Sequence, residues 1–505
     1  MNYLIPIFYT VIFSFIIYKA KLFSESKVKS WITLSFFYIK ILTGIFVIYV
    51  YTTHYSNEKT ADVLLYYSDG KIISNSFYSN PSDFFRLISG IGCDNDYFFL
   101  NYFSKMDRWQ RQHDSFFFND CHTVIRFNAV VQLFSFGAIH AGTVIVCFLS
   151  LVGVFSLYRT FENILSEKRG IFLLAIIFSP ALIFWTSSLF KESLLLFGLG
   201  LLIHSLFKIL IEKNYSLLTF INLSIGIVFS LTVKIYVVLL LLPPLISFLI
   251  FYNKALRFKL FYILCINFTF FLLGLLIANS FLDRNFVKEI IRHQSDFINT
   301  ARGGVYLYKD STAVWLEYNS RDRIVATTKK DTVTIKPGST YLTWNNNSPV
   351  DTLVVSNSTD TSEYWNAATT EPARSAYYMP RLEYSLSSFV SYAPEALMNV
   401  LFRPYFNEAE NLYQKVCSVE NIVYILILLV CIFFSDYKNA NKELLWLGLV
   451  FSINLFLLIG FTTPVAGALV RYKAPAIPFL LLSAITLLDV EKARKIPILK
   501  LLFRN

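Results

Sequence analysis

Long apolar runs separated by brief polar breaks fill most of this chain. Measured against the ~20 residues that a helix needs to cross a bilayer, they predict about eleven transmembrane helices, near 2–19, 32–52, 138–158, 170–187, 190–211, 216–233, 235–251, 258–280, 420–435, 443–461 and 472–489. The expected fold class is an all-α polytopic membrane protein. Its blocks are two N-terminal helices over 1–52, an outer loop over 53–137 and a six-helix bundle over 138–280. A second outer segment over 281–419, three helices over 420–489 and a basic tail over 490–505 follow. The first run, Tyr3–Tyr18, has no basic residue ahead of it and no small-residue cleavage site behind it. It reads as a retained helix rather than a signal peptide.

The two polar segments carry patterns of their own. In the first, ADVLLYYSDGKII and PSDFFRLISGIG have helical spacing with one apolar face, as helices lying on a membrane surface do. HTVIRFNAVVQLFSFGAIHAG reads as a further interfacial helix that carries Arg126 and breaks near Gly137. In the second, VTIKPGSTYLTW and DTLVVS contain short alternating runs, with Lys336-Pro337-Gly338 as a turn. They predict a small β-rich insertion near 301–370. Residues 377–404 return to an amphipathic helix.

Orientation follows from Lys and Arg in the short connections. Lys21, Lys27 and Lys29 follow the first predicted helix, Arg159, Lys168 and Arg169 the third, and Lys208 and Lys213 the fifth. Lys254, Arg257 and Lys259 follow the seventh, Lys438 and Lys442 the ninth, and Lys492, Arg494, Lys495, Lys500 and Arg504 fill the tail. Every second connection is therefore basic and expected inside. The N-terminus and both long polar segments are then expected outside, and the C-terminus in the cytoplasm. These segments absorb most of the net charge of +11, so no nucleic-acid partner is implied. A chain 55% hydrophobic and only 16% charged, with mean hydropathy +0.52, has membrane lipid as its expected surrounding. Cys93 and Cys121 bracket the later half of the first outer loop, and their spacing leaves a disulfide and two thiols equally open.

Four cations fall in tight turns on the expected outer side, where topology-setting charge is scarce: Lys191, Lys234, Arg471 and Lys473. Each alone is explained by a helix-end cation reaching for the interface. As a set, with RYKAPAIPF between apolar runs, they suit a phosphate or pyrophosphate headgroup, which Arg grips bidentately and Lys by point charge. Arg403, beside Pro404, is a further candidate. Glycosyl transfer also needs a carboxylate to take the acceptor's proton. Asp62 opens a surface helix, and Asp94-Asn95-Asp96 has a D-x-D spacing that can hold a divalent cation through oxygen, though it equally describes solvated loop acids. Glu192 is expected to pair with Lys191 or to act as an acid–base group. Lys40 and His204 lie within apolar runs and are expected to snorkel to the inner end. No phosphate loop, H-E-x-x-H, C-x-x-C or G-x-S-x-G pattern is present in the sequence. No Asp or Glu lies well inside a predicted span, which weighs against an ion-coupled carrier.

SPALIFWTSSLFKESLL, LFRPYFNEAENLYQKVCSVENI and GALVRYKAPAIPFLL together resemble the multi-spanning proteins of bacterial envelope-polysaccharide synthesis. More broadly, the layout resembles the C-type membrane glycosyltransferases over most spans and the first outer loop, though not over 301–370. The resemblance implies a sugar donor on polyprenyl phosphate or pyrophosphate, used at the outer face of the bacterial cytoplasmic membrane; the one cofactor in view, a divalent cation, comes from the Asp94/Asp96 spacing alone. It implies a catalytic acid in the first large outer loop and basic residues in outer turns. Residue by residue, it points to Asp62 or the Asp94/Asp96 pair as the acid. It points to Lys191, Lys234, Arg471 and Lys473 as phosphate ligands. The chain departs from the pattern by placing its acid-bearing loop after the second predicted span rather than the first. Three other readings stand beside it. One is a repeat-unit polymerase dominated by Arg126, Arg403 and Arg471. Another is a non-enzymatic transporter of lipid-linked oligosaccharide, which needs a polar path through the spans. The third is a scaffold recruiting other envelope-assembly proteins through 301–370.

Overall fold

The computed structural model describes residues 4–53, 61–109, 120–252, 254, 259–281, 285–309, 312–316, 324–329, 332–335, 340–343, 352–355, 363–369 and 371–495. The expected turn at Lys336-Pro337-Gly338 and residues 496–505 of the tail lie outside them. Among the described residues, seven helical segments are long and apolar enough to cross a membrane: Ser30–Thr53, Ile139–Ile177, Lys191–Leu210, Leu217–Phe251, Leu412–Phe433, Lys442–Thr462 and Ala466–Leu487. Leu4–Lys19 and Leu260–Gly274 are apolar but shorter. The chain is a predominantly helical, polytopic membrane protein. It divides into two units, Met1–Ile263 with Leu426–Phe451 and Ala474–Asn505, and Leu264–Ile425 with Ser452–Lys473.

The first unit begins with α1 (Leu4–Lys19), α2 (Lys21–Ser24) and α3 (Ser30–Thr53). Its polar loop folds as α4 (Asp62–Ser79), α5 (Pro81–Ser89), α6 (Asp96–Asn101) and α7 (Asp120–Ser135). Phe136 and Gly137 take positive φ, 50° and 69°, and end α7 before α8 (Ile139–Leu165). The expected single helix over 170–187 is two, α9 (Arg169–Ile177) and α10 (Pro180–Trp185). The break lies at Ser179, whose side chain accepts Leu182 N–H at 3.3 Å and caps a helix that starts on proline. α11 (Lys191–Leu210) and α12 (Leu217–Phe251) follow.

Side-chain pairs set the directions within this unit. Phe13 stacks on Phe148 at 4.2 Å and Phe23 meets Phe155 at 5.2 Å, so α1–α2 run parallel to α8. Cys147 faces Lys40 while Thr143 faces Gly44, so α3 runs antiparallel to it. Gly153 faces Leu196 and Thr160 meets His204, so α11 is parallel. α12 reverses. Phe197 meets Phe229 and Leu202 meets Gly226, an antiparallel limb; Glu192 meets Lys234 and Phe207 meets Phe248, a parallel one. The turn is Lys234, whose φ and ψ of −149° and 81° leave the helical region. The expected helices 216–233 and 235–251 are thus the two limbs of one hairpin. Where α8 and α11 cross, Gly153 and Gly200 bring backbone against backbone, and a Cβ on either would collide with main-chain atoms of the other helix.

At one end of the unit the basic segments meet. Arg159 bonds the Glu25 carbonyl and pairs with Glu162 at 2.6 Å, Lys168 donates to the Thr486 carbonyl at 2.9 Å, and Asp436 N–H donates to the Leu487 carbonyl at 2.9 Å. At the other end lie the starts of α4, α7 and α11 and the Lys234 turn.

The second unit takes in most of α13 (Lys259–Phe281), then α14 (Phe286–Ala301). Strands β1 (Val305–Lys309), β2 (Thr312–Leu316), β3 (Ile324–Lys329), β4 (Thr332–Ile335), β5 (Thr340–Thr343), β6 (Thr352–Val355) and β7 (Glu363–Thr369) pair antiparallel in the order β3-β4-β7-β1-β2-β5-β6. The return chain is fastened to α14 by Gln294, which donates to the Pro380 carbonyl at 3.1 Å and accepts Leu382 N–H at 2.8 Å. α15 (Leu386–Phe402) follows, and α16 (Leu412–Phe433) and α17 (Lys442–Thr462) contribute to both units. The expected helix over 472–489 is split. α18 (Ala466–Lys473) ends before a single tight turn at Ala474–Ala476, and α19 (Ile477–Leu487) and α20 (Val490–Arg494) complete the first unit. Pro475 and Pro478 account for the split, since neither can donate to a continuous ladder.

Candidate functional site

The first-unit candidate is built on the start of α11. Residues 186–190 are not helical and are held from several sides. Lys40 donates to the Thr186 carbonyl at 2.8 Å and hydroxyl at 2.6 Å, Ser150 donates to the same carbonyl at 2.7 Å, and Ser193 reaches back to the Ser188 carbonyl at 2.6 Å. Lys40 is fully buried, so it does not snorkel to the inner end as expected; it braces the segment that delivers Lys191. His204 likewise turns inward, onto the Thr160 hydroxyl at 3.1 Å.

α11 opens on Lys191 and Glu192, and an acid in the first turn is favoured by the helix dipole. Glu192 does not pair with Lys191. It meets Lys234 at 2.8 Å, with side chains only 1% and 4% exposed, so the hairpin turn of α12 is closed by a buried ion pair. Lys191 instead meets Asp120 at 2.6 Å. Its ammonium also lies 3.4 Å from the Cys121 sulfur and 5.3 Å from the centre of the Tyr66 ring. The structure therefore brings Lys191, Glu192 and Lys234 together and adds Asp120, Cys121 and Tyr66. Nothing in the spacing of the loop acids marks Asp120, because its partner belongs to another helix. No disulfide joins Cys93 and Cys121.

Asp62 pairs with Arg108 at 3.1 Å. Arg108 is itself placed by Asp69, whose carboxylate accepts N–H of Asp107 at 3.0 Å and of Arg108 at 2.7 Å. Burial raises the Asp69 carboxyl above its ordinary range. Asp62 precedes Val63, which packs in one cluster with Leu189 and Phe190, and so lies close to the start of α11. Asp94 and Asp96 are exposed, and Asn95 between them caps the short α6 by accepting Phe98 N–H. Among the described residues no group of three or more His, Cys, Asp or Glu side chains is placed to hold a metal. Arg126 has a structural duty, donating to the Leu87 carbonyl at 2.8 Å and lying 5.2 Å over Trp109; burial lowers its pKa. Trp109 stacks on His122 at 3.8 Å, and burial pushes His122 down to about 4.

In the second unit Lys473 is buried and donates to Asn421 Oδ1 at 2.6 Å and to the Val400 carbonyl at 3.0 Å. Asn421 in turn donates to the Arg403 carbonyl at 2.9 Å. Arg403 lies between Tyr377, at 4.2 Å, and Tyr405, at 5.2 Å, and pairs with Glu408 at 2.9 Å. Lys473 and Arg403 thus converge through Asn421, while Arg471 sits half-buried in α18.

An ammonium at a helix start can neutralise an anionic oxygen, and a part-exposed carboxylate beside it can exchange places with that oxygen or take a proton. Compared with protein-family models, curated proteins and solved structures, the chain matches none.

Proposed function

We propose that this chain is a membrane-embedded glycosyltransferase. It takes a sugar from polyprenyl phosphate or pyrophosphate at the outer face of a bacterial cytoplasmic membrane, for envelope polysaccharide or glycoconjugate synthesis. The observation that carries the reading is a pair of lysines, Lys191 at the start of α11 and Lys234 in the turn of α12 beside it. Lys191 and Lys234 lie with Asp120 and Glu192 at the end of the first unit away from its basic connections. Cations buried at that depth cost free energy and are retained where something uses them. Lys191, whose counterion is part-exposed, is the phosphate ligand; Lys234, sealed against Glu192, shapes the turn. Asp62, beside the Leu189–Phe190 cluster, is the carboxylate that takes the acceptor's proton. The Arg403 guanidinium is already held by Glu408 and Asn399, and the Lys473 ammonium by Asn421 and the Val400 carbonyl, so the reading leans less on them. With the proposal go eleven spans, an outer N-terminus, the sheet as an outer appendage, and other envelope-assembly proteins as partners.

The test is binding and turnover of a polyprenyl-phosphate sugar by the purified chain in nanodiscs. Wild type binds and transfers, Lys191→Ala weakens binding at least about tenfold, and Asp62→Asn binds without turnover. Wild type that binds no such lipid overturns the proposal. A transporter of the same lipid is the second reading, favoured by one observation. The α9–α10 helix is broken, with a buried Lys40 at its end, as discontinuous helices at transport sites are.

A further inference from the structure

Asp120 occupies the place that an incoming anion needs. Its carboxylate is 2.6 Å from the Lys191 ammonium, and the side chains are 35% and 7% exposed, so Asp120 is the solvent-side member of the pair. Glu192, the next acid along the chain, is drawn away to Lys234 at 2.8 Å. The remaining neighbours of the ammonium described above are a thiol and an aromatic ring, neither of which competes strongly for an anion's site. Asp120 and Lys191 head different helices, α7 and α11, so Asp120 can turn away without unwinding the helix that carries the lysine.

We infer that Asp120 is an autoinhibitory stand-in for phosphate: it holds Lys191 until the phosphate or pyrophosphate of a ligand displaces it. The inference rests on the anion-site reading above and adds a regulatory residue to it. Its consequence runs against the usual sign of a site mutation, because removing the carboxylate tightens binding.

The experiment is calorimetric titration of the full chain in nanodiscs with two probes, inorganic pyrophosphate and farnesyl diphosphate, which separate a free anion from a prenyl headgroup. Asp120→Asn binds roughly two- to fivefold tighter than wild type, the scale of one partly exposed ion pair. Lys191→Met loses that binding, and the double variant matches Lys191→Met. Equal or weaker binding by Asp120→Asn, with Lys191→Met still defective, overturns the inference and leaves the anion site standing. If neither wild type nor Asp120→Asn binds either probe, the anion site itself falls, and the inference with it. Should Asp120→Asn fail to fold, wild type alone decides. Displacement of Asp120 frees the first turn of α7, so saturating pyrophosphate speeds alkylation of the buried Cys121 several-fold by peptide mapping. An unchanged rate under saturation overturns the inference.

Discussion

At Glu192 and Lys234 the fold buries opposite charges together, and losing one member is worse than losing both. Glu192→Gln leaves an ammonium in a dry turn and lowers stability by about 3–5 kcal/mol, whereas Glu192→Gln with Lys234→Met recovers most of the loss. Thermal unfolding in nanodiscs checks both. His122 gives a pH prediction. Its folded pKa of about 4 lies below the ordinary 6.5, so the unfolded chain binds more protons between those values. Stability therefore falls as pH drops from about 6.5 to about 4 and is unaffected by this group above that window; the slope disappears in His122→Gln. Melting temperature against pH checks it. The placement of Lys191 and Lys234 in turns was legible because both sit between apolar runs. Their partners were not: Glu192 and Lys234 are 42 residues apart, and nearest-neighbour reasoning paired Glu192 with Lys191 instead.

Single residues also decide how elements end. Ser179-Pro180 is a readable start signal, yet it lies inside an apolar run whose hydropathy alone predicts one uninterrupted span. Lys234 marks a turn in the opposite way, as a lone charge in an unbroken apolar stretch with no glycine beside it. The hairpin of α12 predicts that both limbs cross-link to α11. Phe197→Cys with Phe229→Cys, and Phe207→Cys with Phe248→Cys, are each joined by a short bifunctional thiol reagent; if either pair is not joined, α12 does not reverse. The crossing of α8 and α11 depends on absent side chains. Gly200→Leu forces these helices apart and lowers stability by about 1–3 kcal/mol or more, read as a drop in melting temperature.

Over the whole molecule, the sorting of basic connections is the feature most legible in sequence, and in the first unit they do gather at one end. The proposed topology then predicts that alkaline phosphatase fused in the connection at 212–215 is inactive and that a fusion within 305–369 is active. The reverse pattern inverts the protein. The division into two units was not legible. Each unit is assembled from segments distant in sequence, and α16 and α17 change allegiance midway without any break in hydropathy.

The brace between Lys40 and Thr186 has a consequence for how the chain is made. The two residues are 146 positions apart. At translation rates of roughly 5–20 residues per second, α3 waits on the order of 7–30 seconds for its acceptor. During that interval it holds an ammonium that opposes membrane insertion by about 2.5–3.5 kcal/mol. Helix α3 therefore inserts with a narrower margin than its apolar length implies until α10 emerges and supplies the acceptor, so the order of synthesis sets when the first bundle locks.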